Sequence, residues 1–288
     1  MSRAEKTHRD GELSAADGVR LRWQAWLPER EPAATVLLLH GGAEHGGRYP
    51  HLVSRLVGEG YAVYAPDLRG HGRSGGRRGS VTRFSDYTDD VAIVVDALAL
   101  GPPLFVLGYS LGGLVGAMHA LDHQDELAGV ILAGPALGVG DGVSPLQFRL
   151  ARTLAALTPR LPVFRMDPPS MMRDPAVVRE YEADPLVFHR RFDAGLIGQF
   201  VTAMAEYPDR ITALTLPLLV LHGDADVTAN PAGSRMTIER AASADKTLRT
   251  YAGVTHDIFN DPDRDRAIDD VTAWLRTRTR TRPAEPPA

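Results

Sequence analysis

Residues 108–112, which read Gly-Tyr-Ser-Leu-Gly, constrain the fold of this chain more than any other segment. They follow an apolar run of strand type at residues 104–107 and precede small and apolar residues, 112–118, that suit a buried helix. A serine between two glycines at such a junction occupies a tight, strained turn, because the glycines let strand and helix approach closely. The turn presents the hydroxyl at a helix N-terminus, where developing negative charge is stabilised. The segment therefore predicts a nucleophilic Ser110, with an ordinary glycine-rich turn as the weaker alternative.

Short apolar runs alternate with amphipathic segments along much of the chain. Strands are predicted at residues 36–39, 61–65, 104–107, 129–132, 218–221 and 248–251, and helices at 50–57 and 87–100. Near-continuous runs of Val and Leu are typical of parallel strands that are buried on both faces. The pattern therefore indicates the α/β class, with a mostly parallel central sheet and helices on both of its faces.

The alternation stops between about residues 135 and 207, where Pro, Met, Arg and Phe are frequent and the apolar spacing is helical. We predict that residues 12–134 and 208–276 form the α/β core and that residues 135–207 form an all-helical cap inserted in it. Ordinary surface helices packed on the sheet are the alternative. The remaining residues, 277–288, are predicted to be a disordered tail, with attraction of its arginines to anionic lipid as a further alternative.

Composition excludes several classes of function. The 288 residues are 44% apolar with a net charge of −4, which is ordinary for a globular protein and argues against nucleic acid as the main partner. The chain has no cysteine, so disulfides, a cysteine nucleophile and thiolate metal sites are impossible. His40, His45 and His71 lack the spacing of metal ligands, so no metal or other cofactor is expected. Residues 1–12 carry no signal core and the longest apolar run, 127–140, is too short to span a bilayer, so we expect a cytoplasmic protein.

A serine hydroxyl needs a base within hydrogen-bond reach, and the base needs an acid that orients it. His256 follows the last predicted strand and precedes the last helix, so we predict that it is the base. Asp224 and Asp226 both follow the preceding strand. Their spacing does not decide which of them is the acid, and the other one is expected to be a turn residue that bonds its own backbone.

An acyl-transfer site also needs two backbone amides that face the developing oxyanion. One of them belongs to the residue after the nucleophile, which is Leu111. The other belongs to the loop after an early strand, where Gly42 is the expected donor because glycine lets the backbone turn its N–H inward.

With these residues in place, the chain resembles the monoacylglycerol lipases, a branch of the α/β-hydrolases. Residues 40–49, His-Gly-Gly-Ala-Glu-His-Gly-Gly-Arg-Tyr, are similar to the HGxGEHxxRY signature of that family. Residues 66–74 are similar to a turn found in many hydrolases, which discriminates less. In the cap the similarity extends to Arg173-Asp174-Pro175, Tyr181 and Asp184-Pro185-Leu186-Val187. The resemblance covers about residues 12 to 275.

The resemblance implies roles for further residues. It assigns the acid to Asp226 and places Glu44 and Arg48 near a pocket for the glycerol moiety. The chain departs from the family pattern at Tyr109, where the family usually has histidine, and at Ala43, where it usually has glycine. The first departure bears on the shape of the alcohol pocket, so Tyr109 is counted among the candidate substrate-binding residues.

Together these features predict a serine hydrolase that cleaves monoacylglycerols to fatty acid and glycerol without a cofactor. Apolar cap residues are candidates to line an acyl tunnel or to touch a membrane surface transiently, and simple packing of the cap is an equal alternative. They are Leu146, Phe148, Leu150, Leu154, Leu157, Met171 and Met172.

Three rival functions remain compatible with the residues. A lysophospholipase or a broad-specificity carboxylesterase would use the same scaffold and the same relay. A cofactor-free haloperoxidase or a carbon–carbon hydrolase would use the same three side chains on another substrate. A non-catalytic lipid-binding protein is the rival from another class, and the intact set of Ser110, Asp226 and His256 argues against it.

Overall fold

The computed structural model describes residues 7–137, 153 and 155–279. The strands are β1 (Thr7–Ser14), β2 (Arg20–Leu27), β3 (Ala34–Leu39), β4 (Tyr61–Pro66), β5 (Leu104–Tyr109), β6 (Gly129–Ala133), β7 (Pro162–Phe164), β8 (Phe192–Asp193), β9 (Leu218–Gly223) and β10 (Lys246–Tyr251). The α-helices are α1 (Pro50–Gly58), α2 (Ser85–Ala97), α3 (Leu111–Asp122), α4 (Pro168–Met171), α5 (Pro175–Ala183), α6 (Ala194–Arg210), α7 (Pro231–Arg240) and α8 (Arg264–Thr279).

Eight strands form one sheet in the order β1-β2-β4-β3-β5-β6-β9-β10. Strand β2 pairs antiparallel with β1 and β4, and the other neighbours are parallel. The predicted α/β class is therefore confirmed. The strands β1 and β2, at one end of the sheet, were not predicted. The edge strand β1 is largely exposed, and its sequence is charged and polar rather than an apolar run.

The two faces of the sheet carry separate apolar clusters, since side chains alternate along each strand. In β3, Leu37 and Leu39 join the cluster that contains residues of α2 and α3. Val36 and Leu38 point the other way, into the cluster that contains residues of α1 and α8. Helices thus cover both faces, as predicted.

The insertion between β6 and β9 contains α4, α5 and α6, but it is not all-helical. Strand β7 pairs antiparallel with β8, and the rings of Phe164 and Phe192 stack with centroids 6.3 Å apart. These strands have three and two residues, which is too short for an alternating pattern to appear in the sequence.

The candidate apolar cap residues differ in their exposure. Leu157 is 76% exposed, whereas Met171 and Met172 are buried against Tyr181 and Val187 in a small cluster of their own. The two methionines therefore pack the cap. The other four candidates lie outside the described residues: Leu146, Phe148, Leu150 and Leu154.

Helix α8 continues through Thr279, three residues into the segment that was predicted to be a disordered tail. Arg276, the last predicted core residue, pairs with Glu59, and Arg278 in the predicted tail pairs with Asp245, so both arginines are held by acids of the core. Across the described ranges, no helix is both long enough and apolar enough to cross a bilayer.

Candidate active site

Ser110 lies in a sharp turn between β5 and α3, with φ 52° and ψ −116°. A positive φ is strained for a residue with a side chain and costs about 1–3 kcal/mol. The neighbouring glycines are required by space, because a Cβ on Gly108 would lie 2.2 Å from the carbonyl oxygen of Gly112. A Cβ on Gly112 would lie 2.2 Å from the carbonyl oxygen of Leu39. The backbone contact therefore explains the glycines on both sides of the serine.

The structure brings together Ser110, His256 and Asp226, which lie far apart in the chain. The Ser110 hydroxyl is 2.8 Å from Nε2 of His256, and Nδ1 of His256 is 2.7 Å from Oδ2 of Asp226. Ser110 is 7% exposed and His256 is fully buried. With Nδ1–H donating to the carboxylate, Nε2 is left to accept the serine proton.

Asp226 is held as an anion by the groups around it. Its Oδ1 accepts hydrogen bonds from the amides of Thr228 and Ala229, at 2.8 and 2.9 Å, and its Oδ2 accepts one from His222 Nε2 at 3.1 Å. Burial alone raises the pKa of Asp226, but hydrogen bonds from His222 and His256 outweigh it and hold that pKa well below its ordinary value. Asp226 is therefore negatively charged at neutral pH.

His222 is a part of the site that the sequence analysis missed. Its Nε2 lies within 3.1 Å of two acceptors, the Asp226 carboxylate and the Ala229 carbonyl, so this nitrogen is the donor. Its Nδ1 then accepts from the Ser234 hydroxyl at 2.6 Å. The available signal was its place at the end of β9, two residues before the first candidate acid.

Asp224 was the candidate expected to bond its own backbone if it was not the acid, but it bonds the backbone of a separate loop. Its Oδ1 accepts a hydrogen bond from the amide of Gly253 at 2.7 Å, which ties the loop after β9 to the loop that carries His256. The geometry therefore distinguishes the two candidate acids, which their spacing in the sequence does not. Asp226 contacts His256, whereas Asp224 accepts a hydrogen bond from the backbone of another loop.

A cavity of about 110 Å³ lies in front of Ser110. Gly42 and Leu111, the two predicted amide donors, both line it. Most of its other lining residues are apolar and belong to the cap. The lining comprises Gly42, Ser110, Leu111, Ala136, Phe164, Met166, Phe192, Leu196, Ile197, Phe200, Thr228 and Ala229.

Glu44 holds the loop after β3 in place. Its carboxylate accepts hydrogen bonds from the Gly41 amide at 2.9 Å, from the Tyr49 hydroxyl and from Nε of Arg48 at 3.0 Å. Glu44 and Arg48 are both largely buried, and neither lines the cavity in front of Ser110. Their predicted contact with the substrate stays a prediction.

Tyr109 packs directly against the candidate base. Its ring centroid is 5.2 Å from that of His256 and 6.1 Å from that of Tyr49. The Tyr109 hydroxyl is buried and has no hydrogen-bond partner among the described residues. Burial raises the pKa of Tyr109 well above its ordinary value, so the hydroxyl keeps its proton.

The three histidines considered as metal ligands form hydrogen bonds within or between loops instead. Nδ1–H of His40 donates to the Gly41 carbonyl at 2.7 Å, and its Nε2 accepts from the Leu68 amide at 2.9 Å. Burial lowers the pKa of His40 to about 4 and that of His71 to about 3, so both are neutral at pH 7. His45 pairs with a cap aspartate, Asp184, at 2.8 Å. In the part of the chain that the structure describes, no cluster of His, Cys, Asp or Glu could hold a metal ion.

A second buried carboxylate, Asp257, lies beside the relay. The side-chain amide of Asn260 donates to it, 3.0 Å from each carboxylate oxygen. Burial and the negative charge of Glu44 raise the pKa of Asp257 to about 6, although Arg48 opposes this effect. The site therefore holds a carboxyl group that titrates near neutral pH.

Comparison with known proteins gives matches over most of the chain. Residues 30–263 match the family described as serine aminopeptidase, S33. The monoacylglycerol lipase of Mycolicibacterium smegmatis is 39% identical over 272 residues, covering 93% of this chain and 97% of that protein. The monoglyceride lipase of Homo sapiens is 31% identical over 275 residues, covering 93% and 91%. The crystal structure of Paleococcus ferrophilus monoacylglycerol lipase has a TM-score of 0.79 at 31% identity and covers 94% of this chain and 99% of that one.

Asp226→Asn should lower the rate of ester hydrolysis far more than Asp224→Asn. The amide at position 226 would favour the wrong tautomer of His256, an effect on the order of 10⁴ in kcat for a comparable relay. Asparagine at position 224 can still accept from the Gly253 amide, so that variant should stay close to the unmodified protein. Steady-state kinetics on a water-soluble aryl ester measures both, and a larger loss in Asp224→Asn would reverse the assignment of the acid.

Asp257→Asn should stabilise the protein at alkaline pH. Because the folded-state pKa of Asp257, about 6, exceeds the ordinary 3.8, the folded chain becomes less stable as the pH rises through this interval and the cost is fully present above it. We expect the variant to gain about 1–3 kcal/mol relative to the unmodified protein between about pH 4 and about pH 8. Urea unfolding at both pH values measures this.

Asp209→Asn is the control for that experiment, since the Asp209 side chain is 94% exposed. It should change the free energy of unfolding by less than about 0.5 kcal/mol at either pH. The explanation is wrong if Asp257→Asn shows no relative gain as the pH rises.

Proposed function

Because the chain belongs to the monoacylglycerol lipase family of α/β-hydrolases, we propose that it hydrolyses monoacylglycerols to a fatty acid and glycerol. The protein is a carboxylic ester hydrolase. The observation that carries the finer proposal is the hydrogen-bonded chain from Ser110 through His256 to Asp226 at the floor of an apolar cavity.

Acylation begins when Ser110 Oγ attacks the ester carbonyl carbon and its proton passes to Nε2 of His256. The anionic Asp226 stabilises the imidazolium that forms and keeps its ring in place. The tetrahedral intermediate then collapses: the bond between the carbonyl carbon and the glycerol oxygen breaks, and Nε2–H of His256 protonates that oxygen. Glycerol leaves, and the acyl group remains on Ser110.

Deacylation repeats these steps with water. His256 takes a proton from a water molecule as its oxygen attacks the acyl carbon, and the second tetrahedral intermediate expels Ser110 Oγ. His256 returns the proton to the serine, and the fatty acid leaves. In both steps the amides of Gly42 and Leu111 are proposed to bind the oxyanion, and a single donor of this kind contributes on the order of 10²–10³ in kcat.

The acyl group is proposed to occupy the apolar cavity in front of Ser110. Each methylene removed from water there contributes about 0.8 kcal/mol. The cavity of about 110 Å³ is smaller than an engineered cavity of about 150 Å³ that takes up benzene, so a long acyl chain has to extend beyond it. The side chains that it meets on the cap side are those of Phe164, Met166, Phe192, Leu196, Ile197 and Phe200.

The glycerol moiety is proposed to bind on the opposite side, near Tyr109, Glu44 and Arg48. The Tyr109 hydroxyl keeps its proton and has no partner among the described residues, so a glycerol hydroxyl that reached this buried group would meet an unused donor. Glu44 and Arg48 form an ion pair with each other, so the charges of these two residues cancel.

A panel of monoacylglycerols, diacylglycerols, lysophospholipids and short aryl esters tests the substrate class. We expect the highest kcat/KM on monoacylglycerols, and no measurable turnover with Ser110→Ala, because that variant lacks the nucleophile. A fluorophosphonate should label the unmodified protein at Ser110 and not label the variant. A clear preference for lysophospholipids would overturn the substrate proposal, and unchanged activity in Ser110→Ala would overturn the mechanism.

The cap is also proposed to contact a membrane surface that is rich in anionic lipid. Five large apolar side chains are exposed in the described ranges, and four of them lie on the cap between residues 157 and 164. Phe164 lines the cavity itself, and the fifth, Val227, adjoins Thr228, which also lines it. An exposed apolar rim around a cavity mouth is typical of a surface that meets lipid.

Arginines adjoin this apolar rim. Arg77, Arg78, Arg160, Arg190 and Arg191 line one groove beside β7 and β8. Within the part of the chain that the structure describes, only Arg77 among them forms an ion pair, with Asp193. Positive charge gathered in one place on a chain of net charge −4 fits an anionic surface, where each such residue contributes about 1 kcal/mol.

Sedimentation with vesicles tests the membrane contact. The unmodified protein should bind vesicles rich in phosphatidylglycerol more tightly than vesicles of phosphatidylcholine alone. Reversing two charges, Arg160→Glu with Arg190→Glu, should weaken this binding by about tenfold or more, because two attractive residues become repulsive. Arg55→Glu, on α1 and outside this groove, is the control. Equal binding by both variants, or no dependence on anionic lipid, would overturn the membrane proposal.

A further inference from the structure

Residues 171–188 of the cap, which we call the strap, contact the loop that carries His256. The backbone carbonyl of Met171 accepts two hydrogen bonds, one from the Thr255 hydroxyl at 2.9 Å and one from the Asp257 amide at 3.0 Å. These donors are the residues immediately before and after His256. A single carbonyl of the cap thus restrains the base on both sides.

Two ion pairs of Arg173 reinforce this contact, one with Asp261 and one with Asp263. Nε and Nη2 of Arg173 donate to the two carboxylate oxygens of Asp261, at 2.8 and 2.5 Å. This two-pronged geometry fixes direction as well as distance. The Asp261 side chain is only 1% exposed, so the pair is well shielded on the core side. Arg173 therefore anchors the loop that carries His256 a second time, beyond the base.

The other end of the strap reaches the loop that carries Gly42. The Phe188 amide donates to the Ala43 carbonyl at 2.7 Å, and His45 Nε2 donates to the Asp184 carboxylate at 2.8 Å. Ala43 has φ 71°, a strained value for a residue with a side chain, so the bond from Phe188 helps to hold it. The strap thus connects the loop of the base to the loop of a proposed oxyanion donor.

Local sequence explains why the strap behaves as one unit. Asp174 caps helix α5 by accepting from the Ala176 amide at 2.8 Å, and Pro175 occupies the first helical position. Tyr181 packs inside the strap with Met171 and Met172, and its ring lies 4.8 Å from the guanidinium of Arg48. The motifs Arg173-Asp174-Pro175 and Asp184-Pro185 therefore supply the ion pairs that attach the strap and the residues that begin and end its helix.

The strap supplies none of the residues that line the cavity in front of Ser110. The cap residues that do so lie before it, at 136, 164 and 166, or after it, at 192–200. We propose that the strap is a positioning element that keeps His256 aligned with Ser110 and Gly42, and that Arg173 is its positioning residue at the base. This proposal rests on the proposed roles of Ser110 and His256.

Arg173→Ala tests the proposal. A displaced base slows the chemical step without altering the cavity, so kcat should fall by about ten- to a hundredfold. KM for a short soluble ester should stay within about twofold, since the binding residues are unchanged. Labelling of Ser110 by a fluorophosphonate should slow in parallel. Arg173→Lys, which keeps the charge but loses the two-pronged geometry, should recover part of kcat.

Asp261→Asn should give part of the loss seen in Arg173→Ala, because Asp263 still pairs with Arg173 in that variant. The double variant should be no worse than Arg173→Ala alone, because the pair with Asp261 is already broken there. The downfield NMR signal of the proton between His256 and Asp226 should broaden or shift in each variant. This readout depends on the position of the imidazole and not on turnover.

Arg210→Ala is the matched control. Arg210 pairs with Asp122 at 2.5 Å, and its side chain is 36% exposed against 33% for Arg173. This control should leave kcat and the downfield signal unchanged. The proposal is overturned if folded Arg173→Ala retains the kcat of the unmodified protein, or if Arg210→Ala loses as much. Absence of both ester hydrolysis and Ser110 labelling in the unmodified protein would instead overturn the proposed function.

Discussion

The close approach of two backbones, at the junction of β5 and α3, is the constraint on which the rest of the site depends. Gly108 and Gly112 leave no room for a Cβ, and only this spacing places Ser110 at the tip of the turn with a positive φ. The serine is thereby held at the carboxyl ends of the parallel strands, where the loops after β3, β9 and β10 also begin. Every other group in the site is arranged around a hydroxyl whose position the backbone has already determined.

Charge in the site is arranged by burial and by fixed donors. Asp226 stays ionised inside the protein because backbone amides and two imidazoles donate to it. Glu44 is neutralised by Arg48, and Asp257, which lacks an arginine of its own, has a raised pKa. His40 and His71 are neutral because burial lowers the pKa of each imidazole. The imidazole of His256 thus has one strongly anionic neighbour placed to stabilise its protonated form.

Much of the site could be predicted from sequence because parallel strands carry their functional loops at one edge. Ser110, Asp226 and His256 each follow an apolar run, so their convergence is expected once the sheet is recognised. Spacing could not separate Asp224 from Asp226, because the choice depends on the direction of each carboxylate within one turn. His222 was missed for a related reason: its role comes from Ser234 and Asp226, and it precedes the turn at the end of a strand. The pairings across the cap join residues that are far apart in the chain, and no local pattern records them.

The short pairing of β7 with β8 has a mechanical consequence. Phe164 and Phe192 face each other in that ladder, both touch the cavity, and β8 leads directly into α6, which supplies Leu196, Ile197 and Phe200. The cavity wall on this side is therefore one connected unit rather than a row of independent side chains. Its position changes only when the paired strands and α6 move together, so the size of group that the cavity admits depends on the unit as a whole.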